Sequence, residues 1–230
     1  MIDEDILTTI DMKKSLLLFS GGLDTTTLLY WLIEEGVPVQ CLGFDYGQQA
    51  IAELEHAKTT CEKLNVKYEI MDLKNLNING ELGEGGNIGN KTDIIIPNRN
   101  SIFLAIATNY AIQNGCSNVY IGSKLGQPAC LDEQPPFLEQ YNELNKVSDI
   151  TEVTVKAPLI YMDLLEVIDL ALSLDVPLTD TWSCFSNSDK KCGICGNCKV
   201  MPEAIDIKIN QYEEYLNNLK EYKSSFPPTK

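Results

Sequence analysis

The sequence contains a single histidine, His56, among its 230 residues. A histidine-based catalytic triad and a metal site with several histidine ligands are therefore nearly excluded. The chain also lacks an apolar run of the roughly 20 residues that a membrane-spanning helix needs. Its first residues, MIDEDILTTIDMKK, lack the order of a cationic and then an apolar segment that is typical of a signal peptide. These absences predict a cytoplasmic protein with no membrane partner.

Positive charge is scarce, with 18 Lys and Arg against 33 Asp and Glu, which gives a formal net charge of −15. A field of that sign repels phosphate backbones, so a general nucleic-acid partner is disfavoured. An acidic, solvated surface that keeps the protein soluble accounts for the charge.

Apolar runs alternate with helical patterns along most of the chain. This alternation, with continuous apolar strands, is typical of a parallel sheet covered on both faces. We therefore predict an α/β fold with a doubly wound parallel sheet, and ligands bound beyond the carboxyl ends of its strands. Two loops are predicted, over 73–92 and 123–136. The predicted elements are the strand LLLFS, a helix over 24–35, the strand VQCLGF, a helix over 48–64, the strand VKYEIM, the apolar run IIIP, a helix over 100–114, the strands NVYIG and EVTVKAPL, and helices over 162–173 and 203–222.

The segment LLLFSGGLDTTT, residues 16–27, leads from a buried strand into two adjacent glycines, a carboxylate and hydroxyls. The first amides of a helix that begins near Asp24 have no partner within the helix, and with the helix dipole they form an anion site. Adjacent glycines let phosphate oxygens approach the backbone. The Asp24 carboxylate either caps the helix or helps to hold a Mg²⁺ ion that bridges phosphates. A capped glycine turn without a ligand is the alternative.

The pattern S-G-G-x-D-[ST]-[ST] after an apolar strand resembles the pyrophosphate-binding loop of the ATP pyrophosphatases. It is neither the G-x-x-x-x-G-K-[ST] loop nor the G-x-G-x-x-G motif. The resemblance implies an adenine nucleotide alpha hydrolase-like fold, in which attack on the α-phosphate of ATP releases pyrophosphate. The ATP-binding residues that it implies are Ser20, Gly21, Gly22, Leu23, Asp24, Thr25 and Thr26.

Four of the eight cysteines crowd into TWSCFSNSDKKCGICGNC, residues 181–198. Their spacing, C-x7-C-x2-C-x2-C, predicts a closed tetrahedral zinc site whose glycines allow a tight knuckle. Such a site is structural, and it would pin a zinc-binding helical subregion, 181–230, to an α/β domain over 1–180. An iron–sulfur cluster is the main alternative, and free thiols or disulfides are the others. The predicted ligands are Cys184, Cys192, Cys195 and Cys198.

Further segments accompany the glycine loop and the cysteine cluster. They are FDYGQQ at 44–49, Glu53-Leu54, IPNRN at 96–100, KAPLI at 156–160 and DTWSC at 180–184. With them, and in this order, the chain resembles the 7-cyano-7-deazaguanine synthase family of queuosine-precursor synthesis over nearly its whole length.

This resemblance implies an ATP-dependent carbon–nitrogen ligase that converts 7-carboxy-7-deazaguanine to a nitrile. ATP adenylates the carboxylate, ammonia displaces AMP to give an amide, and a second ATP activates that amide for dehydration. The implied cofactors are ATP, Mg²⁺ and Zn²⁺, and the implied catalytic residues are Ser20, Asp24 and Arg99. The implied substrate-binding residues are Tyr46, Gln48, Arg99 and Asp132. Plain packing of Tyr46 and a surface ion pair of Arg99 are the alternatives.

The chain also departs from the family pattern. Family members usually carry Tyr-Pro-Asp-Cys-Arg after the fourth strand, where this chain has ACLDEQPPF, with Asp132 at the aspartate and no arginine. Leu164 and Met201 stand where a lysine and an arginine are usual, and Gln49-Ala50 replaces a histidine. Loss of cations beside a phosphate pocket weakens stabilisation of a negatively charged transition state.

These departures keep other functions open. A diverged paralogue could stop at the amide, or could join the deazaguanine to an amine of a partner protein, as in antiphage defence. tRNA thiolation uses the same glycine loop, but the net charge of −15 disfavours a tRNA partner. A non-catalytic nucleotide-binding protein is the last alternative. The apolar stripe of the C-terminal helix fits either a homodimer or docking within the chain.

Overall fold

The computed structural model describes residues 12–76, 78, 96, 98–125, 130–148, 153–186 and 190–224, with side chains as far as residue 214. Strands and helices alternate along them, as the sequence predicts. The strands are β1 Ser15–Leu18, β2 Val39–Asp45, β3 Tyr68–Asp72, β4 Asn118–Tyr120 and β5 Thr154–Lys156. The helices are α1 Leu23–Glu34, α2 Ala52–Lys63, α3 Arg99–Gln113, α4 Pro135–Lys146, α5 Leu164–Ser173 and α6 Gly196–Ser224, with short 3₁₀ turns at Lys74–Leu76, Leu131–Glu133 and Leu178–Asp180.

The five strands form one parallel sheet in the order β3-β2-β1-β4-β5. The order reverses at β1, where Leu17 pairs with Cys41 on one side and with Tyr120 on the other. A crevice opens at such a reversal, outside the carboxyl ends of the strands. The segments that leave β1, β2 and β4 therefore meet at one edge of the sheet.

Helices cover both faces of the sheet, which confirms the doubly wound α/β prediction. Leu16 and Leu17 point to opposite faces because side chains alternate along a strand. Leu17 enters a core built with α1, α2 and α5, whereas Leu16 enters a core built with α3 and α4. Both side chains are fully buried.

The helix α4 is absent from the sequence predictions, which place a loop over 123–136 and no helix after it. In the structure, helix α4 begins at Pro135 and has prolines at its first two positions. Proline suits the first turn of a helix, because its missing N–H would have no partner there and its φ is already helical. Pro135 and Pro136 therefore begin a helix, and the predicted loop is wrong at these two residues. Residues 126–129 of that predicted loop, and most of the IIIP run and of 73–92, lie outside the described residues.

The C-terminal helix α6 begins at Gly196, seven residues before the predicted start at 203. Its first turn carries Cys198, so the cysteine cluster and the helix overlap. Ala204 packs into the core beside α5, and Lys208 forms an ion pair of 2.6 Å with Asp169 of that helix. In the part of the chain that is described, no helix is long and apolar enough to cross a bilayer.

Candidate active site and metal centre

A cavity of about 290 Å³ lies beyond the carboxyl ends of β1, β2 and β4. Its walls come from the loop after β1, the turn after β2, the first turns of α3 and the segment after β4. This is the crevice expected where the strand order reverses. The cavity therefore lies where the glycine loop predicted a ligand.

The loop after β1 lines one end of the cavity with Ser20, Gly22, Asp24 and Thr25. The Ser20 Oγ and Thr25 Oγ1 atoms lie 3.2 Å apart, and the Gly22 N–H donates to Ser20 Oγ at 3.3 Å. The helix α1 begins at Leu23, directly after these residues. Hydroxyl groups and the first amides of a helix thus meet at this end, which is a suitable arrangement for an anion.

The two glycines of the loop differ in what a side chain at their position would contact. Gly21 has φ +78°, and a Cβ there would lie 2.7 Å from the Glu53 carbonyl oxygen and 2.8 Å from the Ala57 nitrogen, both in the backbone of α2. A Cβ at Gly22 would make only ordinary contacts, the nearest at 3.4 Å from Ser20 Oγ. Gly21 thus lets α2 approach the loop, and Gly22 is the glycine that faces the cavity.

Leu23 and Thr26, both predicted ATP ligands, have buried side chains that do not line the cavity. Leu23 packs in the core, and the buried Thr26 Oγ1 has no hydrogen-bond partner in the described part of the chain. Any contact of Leu23 with a ligand would therefore use its backbone.

Asp24 forms an ion pair with Lys124, whose Nζ lies 2.7 Å from Asp24 Oδ2. Both side chains are largely covered, with 15% of Lys124 and 27% of Asp24 exposed. Burial raises the pKa of the Asp24 carboxyl, and Lys124 offsets part of that rise. Lys124 follows β4 and lines the cavity, but sequence reasoning missed it because it gave no role to the residues directly after the NVYIG strand.

The first turn of α2 places a second carboxylate, Glu53, in the cavity wall. Gln48 Nε2 donates to Glu53 Oε1 at 3.3 Å and to the Phe44 carbonyl at 3.0 Å, while Gln48 Oε1 accepts from the Tyr46 N–H. The predicted ligand Gln48 therefore shapes the turn and holds Glu53. Burial raises the pKa of Glu53 from 4.5 to about 7, although Gln48 and Arg99 act in the opposite direction.

Arg99, at the start of α3, lies at the cavity as predicted. Its Nη2 lies 3.3 Å from Glu133 Oε1, and its guanidinium lies 5.9 Å from the centre of the Phe103 ring. The Tyr46 ring also contacts Phe103, with 5.3 Å between ring centres. Aromatic faces, one guanidinium and two carboxylates therefore surround the end of the cavity away from Asp24.

Asp132, which the resemblance implies to bind substrate, lies against the start of α3. Its Oδ2 accepts from the Asn100 backbone N–H at 3.0 Å, so it caps the first turn of α3. Asp132 is not among the described residues that line the cavity, whereas its neighbour Glu133 is. Of these two neighbouring carboxylates, Glu133 is therefore the one that faces the cavity.

The residues that depart from the family pattern lie in two different environments. Leu164 and Met201, at the sites of the usual lysine and arginine, are half-buried and pack against the core between the sheet and α5. Ala50 lines the cavity. Among the described lining residues the cations are Arg99 and Lys124.

The four predicted metal ligands come together. The Sγ atoms of Cys184, Cys192, Cys195 and Cys198 all lie within 4.8 Å of one another. The N–H groups of Cys192 and Cys195 point at sulfur atoms, at 3.2 Å from Cys184 Sγ and 3.4 Å from Cys192 Sγ. Backbone N–H groups of Ile194 and Cys195 lower the pKa of the Cys192 thiol to about 6, which favours the thiolate that a metal binds.

A tryptophan joins this cysteine cluster to the glycine loop. The Trp182 N–H donates to the Gly21 carbonyl at 2.9 Å, and its indole Nε1 donates to the Cys184 carbonyl at 3.0 Å. The indole also stacks on His56, with 4.8 Å between ring centres. Phe185, one residue beyond Cys184, lines the cavity. The cluster therefore supports one wall of the site.

Known proteins are similar to this chain in sequence and in fold. The sequence model of the family described as "Queuosine biosynthesis protein QueC" matches residues 14–207. The chain is 34% identical to the 7-cyano-7-deazaguanine synthase of Hahella chejuensis, over 86% of this chain and 91% of that protein. It is 31% identical to the protein of the same name from Pseudoalteromonas atlantica, over 85% and 94% of the two chains.

Among solved structures, the U34-tRNA thiolase NcsA from Methanococcus maripaludis, with its [4Fe-4S] cluster, is similar with a TM-score of 0.51. The match covers 98% of this chain and 77% of that one at 17% identity, so it supports the fold alone. The extent of the family match and the identity to two synthases decide the assignment: the chain belongs to the QueC family of queuosine biosynthesis proteins.

Proposed function

We propose that the protein is a 7-cyano-7-deazaguanine synthase that converts 7-carboxy-7-deazaguanine, ATP and ammonia to the nitrile, AMP and pyrophosphate. The observation that carries this proposal is the composition of the cavity in a QueC-family chain. One end has the hydroxyl and amide donors of a phosphate site, and the other has aromatic faces and charged groups suited to a heterocyclic acid.

At the phosphate end, the Gly22 amide and the Ser20 and Thr25 hydroxyls bind the triphosphate. An oxygen of the substrate carboxylate attacks the α-phosphorus, the bond to the bridging oxygen breaks, and pyrophosphate leaves. Donors that are already in place stabilise the charge that develops on the phosphate oxygens. Ammonia then attacks the acyl carbon, loses a proton and expels AMP.

The amide oxygen attacks the α-phosphorus of a second ATP in the same way. Loss of two protons from nitrogen and departure of AMP then give the nitrile. Both activations need the same phosphate end, so one site serves both steps.

At the other end, the Arg99 guanidinium binds the substrate carboxylate or the acyl phosphate formed from it. The faces of Tyr46 and Phe103 pack on the heterocycle, and the carboxylates of Glu53 and Glu133 accept hydrogen bonds from its N–H groups. A carboxylate that recognises N–H groups in a covered site discriminates strongly, because a wrong ligand leaves it without partners.

The residues present fit the two implied metals. Asp24 offers a carboxylate oxygen beside Gly22, as Mg²⁺ requires, and a Mg²⁺ ion bound there would neutralise charge on the phosphates. Four thiols within 4.8 Å of one another fit a closed zinc site, which would stabilise the wall that contains Trp182 and Phe185. None of the eight cysteines is in a disulfide. We therefore propose the cytoplasm, a reducing compartment, as the location.

The test is to incubate the protein with ATP, Mg²⁺, ammonium and 7-carboxy-7-deazaguanine, and to follow base and nucleotide by mass spectrometry. We expect nitrile and AMP, and we expect neither from the Asp24→Asn variant. An amide or adenylate that goes no further would replace the proposal with the paralogue that conjugates an amine. ATP binding without AMP formation would indicate a non-catalytic nucleotide-binding protein.

A further inference from the structure

Lys124 is a cation at the phosphate end of the cavity to which the proposed function gives no role. Its Nζ lies 2.7 Å from Asp24 Oδ2. Asp24 itself follows the cavity-facing Gly22 by two residues. An ammonium has three N–H donors. Among the described residues, Asp24 accounts for one of them. Within the described part of the chain the other two donors have no acceptor, and Lys124 lines the cavity.

The backbone around Lys124 is held close to the first turn of α1. A Cβ at Gly122 would lie 2.7 Å from Thr25 Cγ2 and 3.2 Å from the Thr25 nitrogen, so the chain after β4 runs directly over that turn. Beyond the lysine, the Leu125 N–H donates to the Met162 carbonyl at 2.9 Å. These contacts on both sides keep the lysine beside the donors of the glycine loop.

Apart from any bound Mg²⁺, a polyanionic ligand at this end needs a positively charged side chain. The Asp24 carboxylate repels phosphate, and the second cation of the described cavity wall, Arg99, is paired with Glu133 at the other end. Lys124 is therefore the positively charged side chain placed to offset Asp24 where the triphosphate would lie.

We propose that Lys124 binds the triphosphate of ATP. Its ammonium keeps the ion pair with Asp24 and donates a second hydrogen bond to a nonbridging phosphate oxygen. When pyrophosphate leaves, the same hydrogen bond stabilises the charge on the leaving group. This inference rests on the proposed function, since it requires ATP in the cavity.

The test is calorimetric titration of ATP, inorganic pyrophosphate and adenosine in Mg²⁺-free buffer. The Lys124→Gln variant should bind ATP and pyrophosphate about 10- to 100-fold more weakly, as expected when a charge-assisted hydrogen bond is lost. Its binding of adenosine should not change, and Lys124→Arg should retain most of the affinity for pyrophosphate. The control is Lys74→Gln, because Lys74 lies at the same edge of the sheet but pairs with Asp45 and Asp72 away from the cavity.

A purely structural lysine would only neutralise Asp24, and the double variant Asp24→Asn, Lys124→Gln separates the two roles. Direct binding predicts that Lys124→Gln still weakens pyrophosphate binding when it is made in the Asp24→Asn background, where no carboxylate is left to neutralise. Equal pyrophosphate affinity of Asp24→Asn and the double variant, or unchanged affinity in a folded Lys124→Gln, would overturn the proposal. Failure of the wild-type protein to bind ATP or pyrophosphate at all would instead overturn the proposed function with it.

Discussion

Replacement of Glu53 by glutamine should change the pH dependence of stability. Burial raises the pKa of this carboxyl from 4.5 to about 7 in the folded protein. Between those pH values the folded protein holds a proton that the unfolded chain has lost. The free energy of unfolding therefore falls as pH rises through this interval, and below it the group contributes nothing.

The size of the effect on stability follows from the difference between the two pKa values of Glu53. At about 1.4 kcal/mol per pH unit, ionised Glu53 costs about 3 kcal/mol of stability above neutral pH. Glutamine carries no charge and its amide oxygen can still accept from Gln48 Nε2, so Glu53→Gln removes that cost. For a domain of this size the melting temperature should rise by about 5 to 10 °C at pH 8.5, with a much smaller change at pH 5.

The assay is thermal unfolding of both proteins across pH 5 to 8.5. The control is Glu55→Gln, on the exposed side of the same helix, which removes one negative charge without the burial of Glu53. A melting temperature of Glu53→Gln that differs from wild type by the same amount at both ends of the range would refute the reasoning. So would an equal gain at pH 8.5 in Glu55→Gln.

Two further substitutions test other parts of the structure. Gly21→Ala should destabilise the protein by more than about 3 kcal/mol, because it adds a clash with the α2 backbone to the roughly 1–2 kcal/mol that a left-handed alanine costs. Gly115→Ala, at φ +66° with nothing within 4 Å, is its control in urea unfolding, and equal losses would contradict the packing role of Gly21. Cys195→Ser should lower both the bound zinc, measured by elemental analysis, and the melting temperature, whereas Cys130→Ser, outside the cluster, should lower neither. Iron with visible absorbance in the wild-type protein would favour the iron–sulfur alternative.

Local patterns in the sequence were enough to predict the strands, most helices and the meeting of the four cysteines. Each apolar run has its own signal, and closely spaced cysteines can meet without any knowledge of the tertiary fold. The α4 helix was missed because two prolines resemble a loop when their position in the first turn is unknown. The early start of α6 was missed because cysteine and glycine hide its helical pattern.

The cavity was harder to predict because its residues are distant in sequence. Lys124 and Asp24 meet only because β4 lies beside β1 in the sheet, an order that no local pattern encodes. Asp132 and Glu133 are neighbours, and the way that the Leu131–Glu133 turn meets α3 decides which of them faces the cavity. Gly21 was assigned to phosphate binding, although the approach of α2 already requires a glycine at that position.

The hydrogen bond between Trp182 and Gly21 has a consequence for how the protein is made. The glycine loop leaves the ribosome early, but the segment that supports it, together with the cavity-lining Phe185, is synthesised near the end. A nascent chain that ends before residue 182 has every residue of the glycine loop and still lacks the partner of the Gly21 carbonyl. Ribosomes stalled before that point should therefore display chains that bind ATP, the proposed ligand, more weakly than the released full-length protein does.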